Sequence, residues 1–155
     1  MSSQLANETY DHVIAVHSIY YMENLTESLV DLMRLCSPEG AVVIAVAPFE
    51  EMNQLANIFW SHHQNHNIWF EHDVIASLVK LNVNFKRIRI DATLNDPESD
   101  ETLQNDILSF LLQSLFDRLP IECRELTIAF LKQIGESKNT YLTVPHPVSL
   151  IVVKV

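Results

Sequence analysis

Glycine is scarce in this 155-residue chain, which contains only Gly40 and Gly135, far apart in the sequence. A nucleotide-type cofactor needs close approach of the backbone at a strand–helix turn, and glycines normally supply it. Neither the G-x-G-x-x-G fingerprint nor the G-x-x-x-x-G-K-[ST] phosphate loop occurs here. These two glycine-rich ways of binding a cofactor are therefore excluded for these residues.

Positive charge is also scarce: 10 Lys and Arg stand against 20 Asp and Glu, for a formal net charge of −10. Nucleic acid demands a basic face, so we expect no nucleic-acid partner, and an anionic membrane surface is disfavoured for the same reason. No run approaches the roughly 18 apolar residues that span a bilayer, and no basic-then-apolar signal segment opens the chain. Cys36 and Cys123 lie far apart within helical patterns, which predicts buried reduced thiols and a cytoplasmic location.

What is present is organised around residues 10–21, YDHVIAVHSIYY. The apolar, partly β-branched run Val13–Val16 predicts a short buried strand, and Asn24 then opens an amphipathic helix. A buried strand followed directly by such a helix is typical of a parallel strand in a βα unit. Ligands of such sheets bind at the carboxyl ends of the strands. The candidate site residues at that end are Val16, His17, Ser18, Tyr20 and Tyr21.

The rest of the chain continues the alternation of strands and helices. Residues 41–47 are unbroken apolar, which predicts a strand buried on both faces, and Ser37–Gly40 predicts a turn before it. Phe85–Ile90 alternates, which is typical of a half-exposed strand near a sheet edge. Asp96-Pro97 predicts the start of a further helix. The predicted strands lie near residues 12–17, 41–47, 84–92 and 148–155, and the predicted helices near residues 24–36, 50–62, 72–81, 96–119 and 121–134.

This series resembles class I S-adenosylmethionine (SAM)-dependent methyltransferases. More narrowly, it is similar to the histamine N-methyltransferase group, in which an aromatic–aspartate pair enters the fourth strand and Leu/Ile-Tyr-Tyr leaves it. The resemblance covers nearly the whole chain but only the C-terminal half of the family. It implies an α/β fold: the C-terminal half of a Rossmann-like, mostly parallel sheet with an antiparallel last strand and helices on both faces. We expect residues 1–155 to form a single partial domain, because the family's first three strands and cofactor loop would precede Met1.

The resemblance also implies a site and a reaction. Val16, His17 and Ser18 would contact the cofactor SAM, and Tyr20, Tyr21 and His146 would line a pocket for a small amine or imidazole. The substrate nitrogen would attack the sulfonium methyl directly, so no catalytic residue is assigned. His146 stands where the histamine-methylating relatives have asparagine.

Each of these residues also has a structural interpretation. His17 and Ser18 can satisfy loop backbone groups, the tyrosines can pack in the core, and His146 can be a structural loop histidine. A histidine cluster lies at residues 62, 63, 66 and 72, and residues 62 and 66 have the four-residue spacing that places two metal ligands on one helix face. A solvated linker explains the cluster better, and we expect no metal.

Two functions from different classes remain open. The chain is either an enzyme portion that is inactive alone or a non-catalytic binding or regulatory module that pairs with another chain. A third alternative is a truncated chain without an independent role, which the sequence does not separate from the other two because all three would keep the same core. Val13–Val16 would lie at an open, apolar sheet edge, which predicts self-association or a partner chain there.

Overall fold

A computed structural model describes residues 9–63, 68–96, 100–112, 114–138 and 141–155, without the side chains of residues 51, 60–63 and 138. Short 3-10 turns occupy Ile19–Tyr21 and Phe116–Arg118. The other elements, in chain order, are β1 (Tyr10–Val16), α1 (Leu25–Arg34), β2 (Cys36–Val46), α2 (Glu51–His63), α3 (Glu71–Lys80), β3 (Phe85–Ile90), β4 (Thr93–Asp96), α4 (Glu101–Leu112), α5 (Ile121–Ile134), β5 (Glu136–Lys138), β6 (Tyr141–Pro145) and β7 (Val148–Lys154). The predicted α/β class is confirmed.

The chain divides into two compact units. The first contains the described residues up to Pro48, together with Trp69–Ile90 and Val148–Val155. The second contains the described residues within Phe49–Ile68 and Asp91–Pro147. The single partial domain stays a prediction, because compactness alone does not locate a domain boundary.

The first unit is built on a four-stranded sheet in the order β1-β2-β7-β3. β1 and β2 pair in parallel, while β7 runs antiparallel to both β2 and β3. β1, β2 and β3 therefore share one direction, and the last strand is inserted between two of them in the opposite sense. This confirms the predicted mostly parallel sheet with an antiparallel last strand, and it confirms that β3 lies at an edge.

The two faces of this sheet differ in burial. The covered face carries Ala15, Val42, Ile44, Val46, Ile151 and Val153, which are all buried. The open face carries Ile14, Val16, Val43, Ile88, Ile90, Leu150 and Val152, which the strand register places side by side. Ile14 is 66% exposed and Val16 57%. The prediction of a buried strand at Val13–Val16 is therefore wrong in its burial, since Ala15 is the one buried residue of that run. Because α1 contacts both β2 and α3, these two helices pack on the covered face.

The strand prediction for residues 41–47 is corrected in two respects. β2 is fully buried on one face, whereas on the other face Ala45 is buried but Ala41 and Val43 are only half-buried. It also begins at Cys36, so the predicted turn at Ser37–Gly40 is instead a bulge within the strand, between the pairs Tyr10–Cys36 and His12–Ala41. Cys36 is thus a buried strand residue rather than a helical one.

Glycine is needed at this bulge because the backbone of β1 passes close by. A Cβ placed on Gly40 would lie 2.9 Å from the carbonyl oxygen of Asp11. The Ser37 hydroxyl donates to Asp11 Oδ1 at 3.3 Å across the same bulge.

The second unit holds an antiparallel sheet in the order β4-β6-β5 together with α2, α4 and α5. None of its three strands was predicted. The predicted helix start at Asp96 is wrong: Asp96 is buried at the end of β4, and its Oδ2 accepts from Gln104 Nε2 at 2.7 Å. α4 begins instead at Glu101, and Asp100 Oδ1 caps it by accepting from Leu103 N–H at 3.1 Å. The buried core of this unit consists of Met52, Leu108, Leu112, Phe116, Leu131, Leu142 and Val144.

Among the described residues, no helix combines the length and apolar character that crossing a bilayer requires.

Candidate functional site

The chain leaves β1 through a strained residue. His17 has a φ of 46°, in the left-handed region that non-glycine residues seldom occupy. Its N–H donates to the carbonyl oxygen of Ala45 at 3.0 Å, which keeps it attached to β2. Such strain costs on the order of 1–3 kcal/mol and clusters at functional sites. The carboxyl end of β1 is therefore the strongest candidate site in the first unit.

Tyr20 connects this strand end to the end of β2. Its hydroxyl oxygen accepts from Ala47 N–H at 2.7 Å and lies 3.0 Å from His17 Nδ1. The buried ring stacks with the imidazole at a centroid distance of 5.9 Å and meets Tyr21 edge-on at 6.5 Å. A tilted contact with Phe70 at 6.4 Å completes its surroundings. Tyr20 thus behaves as a packed, hydrogen-bonded residue.

Desolvation favours the neutral form of both members of this pair. His17 is exposed as a whole, but partial burial lowers the pKa of its imidazole from its ordinary value and so favours the neutral ring at pH 7. Burial raises the pKa of Tyr20 to about 12, with a smaller contribution from Tyr21 and an opposing one from the Ala47 N–H bond. The site therefore presents a neutral phenol and a neutral imidazole over the physiological range.

The remaining predicted site residues are distributed between the two units. Val16 and Tyr21 are exposed and Ser18 is half-buried, all at the carboxyl end of β1. His146 belongs to the second unit, where it follows β6 and its N–H donates to the carbonyl oxygen of Ala92 at 2.8 Å.

The histidine cluster lies largely outside what the structure describes. Residue 66 and the side chains of residues 62 and 63 are not among the described parts, and His72 stacks on Phe70 at 6.3 Å. Within the described residues, no group of three or more His, Cys, Asp or Glu is arranged to hold a metal ion.

Sequence reasoning missed an ion pair beside this site, in which the carboxylate is buried and the arginine side chain is 45% exposed. Glu71, the first residue of α3, is buried and pairs with Arg87 of β3, whose Nη2 donates to Oε2 at 3.0 Å. The Glu71 N–H donates to the carbonyl oxygen of Ala47 at 3.0 Å. Ala47 is therefore held from both sides, by Tyr20 and by the start of α3. An acidic residue in a first helical turn is a visible signal, but its partner 16 residues away is not.

No protein-family model and no curated protein matches this chain by sequence. The likeness is one of structure. A candidate methyltransferase from Bacillus halodurans aligns with a TM-score of 0.54 at 12% identity, over 95% of this chain and 65% of the other. The YcgJ protein from Bacillus subtilis aligns with a TM-score of 0.61 at 10% identity, over 98% of this chain and 66% of the other. A SAM-dependent methyltransferase from Thermotoga maritima is described as a possible histamine N-methyltransferase. It aligns with a TM-score of 0.51 at 10% identity, over 99% of this chain and 60% of the other.

These alignments define the fold of the chain as that of the class I SAM-dependent methyltransferases. At 10–12% sequence identity, these alignments show a similarity of fold alone. The chain spans 60–66% of the length of these three structures.

Two of the predicted cofactor-binding residues can be compared with what a SAM site needs. His17 and Ser18 place polar groups at the carboxyl end of β1, where this class of sheet binds ligands. No glycine lies there, however: Gly40 packs against Asp11 near the start of β1, and Gly135 lies in the second unit against Leu131.

Proposed function

We propose that this chain forms the C-terminal part of a SAM-dependent N-methyltransferase that acts on a small amine or imidazole, and that it is inactive alone. The observation that carries the proposal is the strained, polar end of β1, where His17 and Ser18 lie beside Tyr20. The strand order around it supports the same interpretation. The Thermotoga maritima neighbour, described as a possible histamine N-methyltransferase, favours methyl transfer to nitrogen.

The proposed roles follow from exposure and hydrogen bonding. Val16, His17 and Ser18 contact SAM, while Tyr21 offers an exposed aromatic face to a cationic amine, an attraction worth about 0.5–2 kcal/mol. Tyr20 supports the site through its hydrogen bond to His17. A substrate-binding role for His146, which belongs to the second unit, stays a prediction. The reaction mainly requires in-line positioning of the nitrogen and the sulfonium carbon. The two free cysteines favour a cytoplasmic setting.

The first test concerns the cofactor. Because no glycine loop is present, we expect calorimetric titration of SAM into the 155-residue chain to give only the heat of dilution. A low-micromolar dissociation constant, roughly −8 kcal/mol, would show that the chain provides a complete site by itself.

The second candidate function is a non-catalytic module that pairs with another chain, and the open face of the sheet favours it. Within the described residues β1 forms one edge of this sheet, and it presents exposed Ile14 and Val16 beside that edge. An open apolar edge is a template for strand addition. The charged side chains that the register places on this face, Lys86 and Lys154, are basic. The partner we propose therefore supplies a strand beside β1 and an apolar, partly acidic helical surface.

In a preparation of the isolated chain, the available partner is a second copy. We expect self-association at micromolar concentration that strengthens with salt, because the net charge of −10 opposes it at low ionic strength. Sedimentation of Ile14→Lys, on the open face, should show a shift toward monomer. Val79→Lys is the matched control, since Val79 is 64% exposed on α3 and lies outside that face. A 17.8 kDa monomer at every salt concentration would contradict the proposal.

A further inference from the structure

The hydrogen bonds around Tyr20 restrict where its proton can point. Ala47 N–H can only donate, so at 2.7 Å the Tyr20 oxygen accepts from it. The hydroxyl hydrogen of Tyr20 must then point elsewhere, and His17 Nδ1 lies 3.0 Å away. A neutral imidazole has one donor and one acceptor nitrogen, so the role of Nδ1 decides the role of Nε2.

We infer that Tyr20 donates its hydroxyl hydrogen to His17 Nδ1 and so holds His17 as the Nε2–H tautomer, a neutral donor for an oxygen acceptor of a bound molecule. This inference rests on the proposed function for its ligand, but not for the hydrogen bond itself. In this arrangement Nε2 has no lone pair with which to take a proton from an amine. His17 therefore recognises a carboxylate or hydroxyl oxygen and does not serve as a general base.

The surroundings keep both partners in place. His17 is fixed by its left-handed backbone and by its N–H bond to Ala45, and the Tyr20 ring is buried against Phe70. Ala47 is in turn fixed by the Glu71 N–H at its carbonyl oxygen. Tyr20 is thus a positioning residue that acts through His17. Burial lowers the pKa of His17, which agrees with a neutral ring.

The alternative tautomer has the opposite chemistry. If Nδ1 carried the hydrogen and donated it to Tyr20, Nε2 would be an acceptor and could take a proton from a substrate amine. The two arrangements place heavy atoms alike, so the distance of 3.0 Å serves both, and a measurement of the ring itself separates them.

The test uses the 155-residue chain labelled with ¹⁵N-histidine, without SAM or substrate. Two-bond ¹H–¹⁵N correlation spectra at about pH 7.5 report which nitrogen of each imidazole is protonated, and loss of one set of signals in His17→Gln identifies His17. We expect the Nε2–H tautomer to predominate. Tyr20→Phe keeps the ring but removes the donor, so we expect a mixture of tautomers. Tyr21→Phe is the matched control and should leave the His17 signals at the wild-type tautomer.

A predominant Nδ1–H tautomer in the wild-type protein overturns the inference, and so does an unchanged His17 tautomer in a folded Tyr20→Phe variant. Should Tyr20→Phe fail to fold, the wild-type spectrum decides the question alone. Because no ligand is added, this outcome is independent of whether the chain takes part in methyl transfer. Failure of the proposed function would appear instead in cofactor and activity measurements.

Discussion

The two faces of the four-stranded sheet are both apolar, yet in the part of the chain that the structure describes only one of them is covered. Ile44 and Ile151 on the covered face are fully buried, whereas Ile14 on the open face is 66% exposed. α1 and α3 account for the difference, because α1 packs against β2 and also contacts α3. The composition of a strand therefore makes a face suitable for burial, and the placement of the helices decides which face is buried.

The comparison also separates stability from interaction. Apolar surface removed from water contributes about 25 cal/mol per Å² to folding, so the covered face stabilises the first unit. The apolar side chains of the open face stay in contact with water, so their burial against a partner would contribute this free energy to association instead. Monomeric proteins rarely expose large contiguous apolar patches, and such patches mark sites of interaction.

The largest expected effect is a contrast between matched substitutions on the two faces. Ile44→Ala removes a fully buried side chain and should lower the free energy of unfolding by about 2–5 kcal/mol. Ile14→Ala makes the same chemical change on the open face and should stay within about 0.5 kcal/mol. Urea denaturation at one fixed protein concentration measures both. Equal losses would show that something covers the open face in solution.

The second prediction concerns Tyr20, which is buried beside Phe70. The folded state keeps its phenol protonated up to a pKa of about 12, while the unfolded chain releases the proton near its ordinary value of 10.0. The stability that Tyr20 contributes is therefore complete below pH 10 and is lost as the pH rises toward 12, by roughly 3 kcal/mol in total.

The measurement is the difference in unfolding free energy between wild type and Tyr20→Phe, taken from about pH 9 to pH 12. Other groups titrate in both proteins and largely cancel in this difference. A constant difference would mean that Tyr20 is more accessible to solvent than its packing indicates.

The smallest expected effect tests the register that assigns residues to faces. Gly40→Ala would bring a Cβ to 2.9 Å from the Asp11 carbonyl oxygen, so the bulge must shift at a cost of about 1–3 kcal/mol. Glu39→Ala, at an exposed position in the same bulge, is the matched control and should change stability by less than about 0.5 kcal/mol. An unaffected Gly40→Ala protein would indicate that β1 and β2 do not meet in this register.

Much of the first unit could be predicted from local pattern. The apolar runs at Val13–Val16 and residues 41–47 predicted two strands, and Asn24 caps α1 as expected, with its Oδ1 accepting from Glu27 N–H at 3.2 Å. The second unit was harder because its strands are short and lack a clear alternation. Asp96-Pro97 also has the residue types of a helix start, but the residue that caps α4 is Asp100.

The candidate site was predicted in position but not in arrangement. His17, Ser18, Tyr20 and Tyr21 were expected at the carboxyl end of β1 because a βα unit places its loop there. The hydrogen bond from Ala47 N–H to the Tyr20 hydroxyl joins residues 27 positions apart, so no local pattern contains it. The same holds for the Glu71–Arg87 pair.

By itself, the sequence determined the α/β alternation, the apolar strands and the polar loop that ends β1, because each depends on neighbouring residues and on the period of the side chains. Only the tertiary structure decided which face of the sheet is covered, where β7 is inserted, and how the phenol of Tyr20 meets the backbone of Ala47. These features depend on free energies between distant segments. They are set by the packing of α1 and α3 and by the strand register, and both form only when the chain is folded.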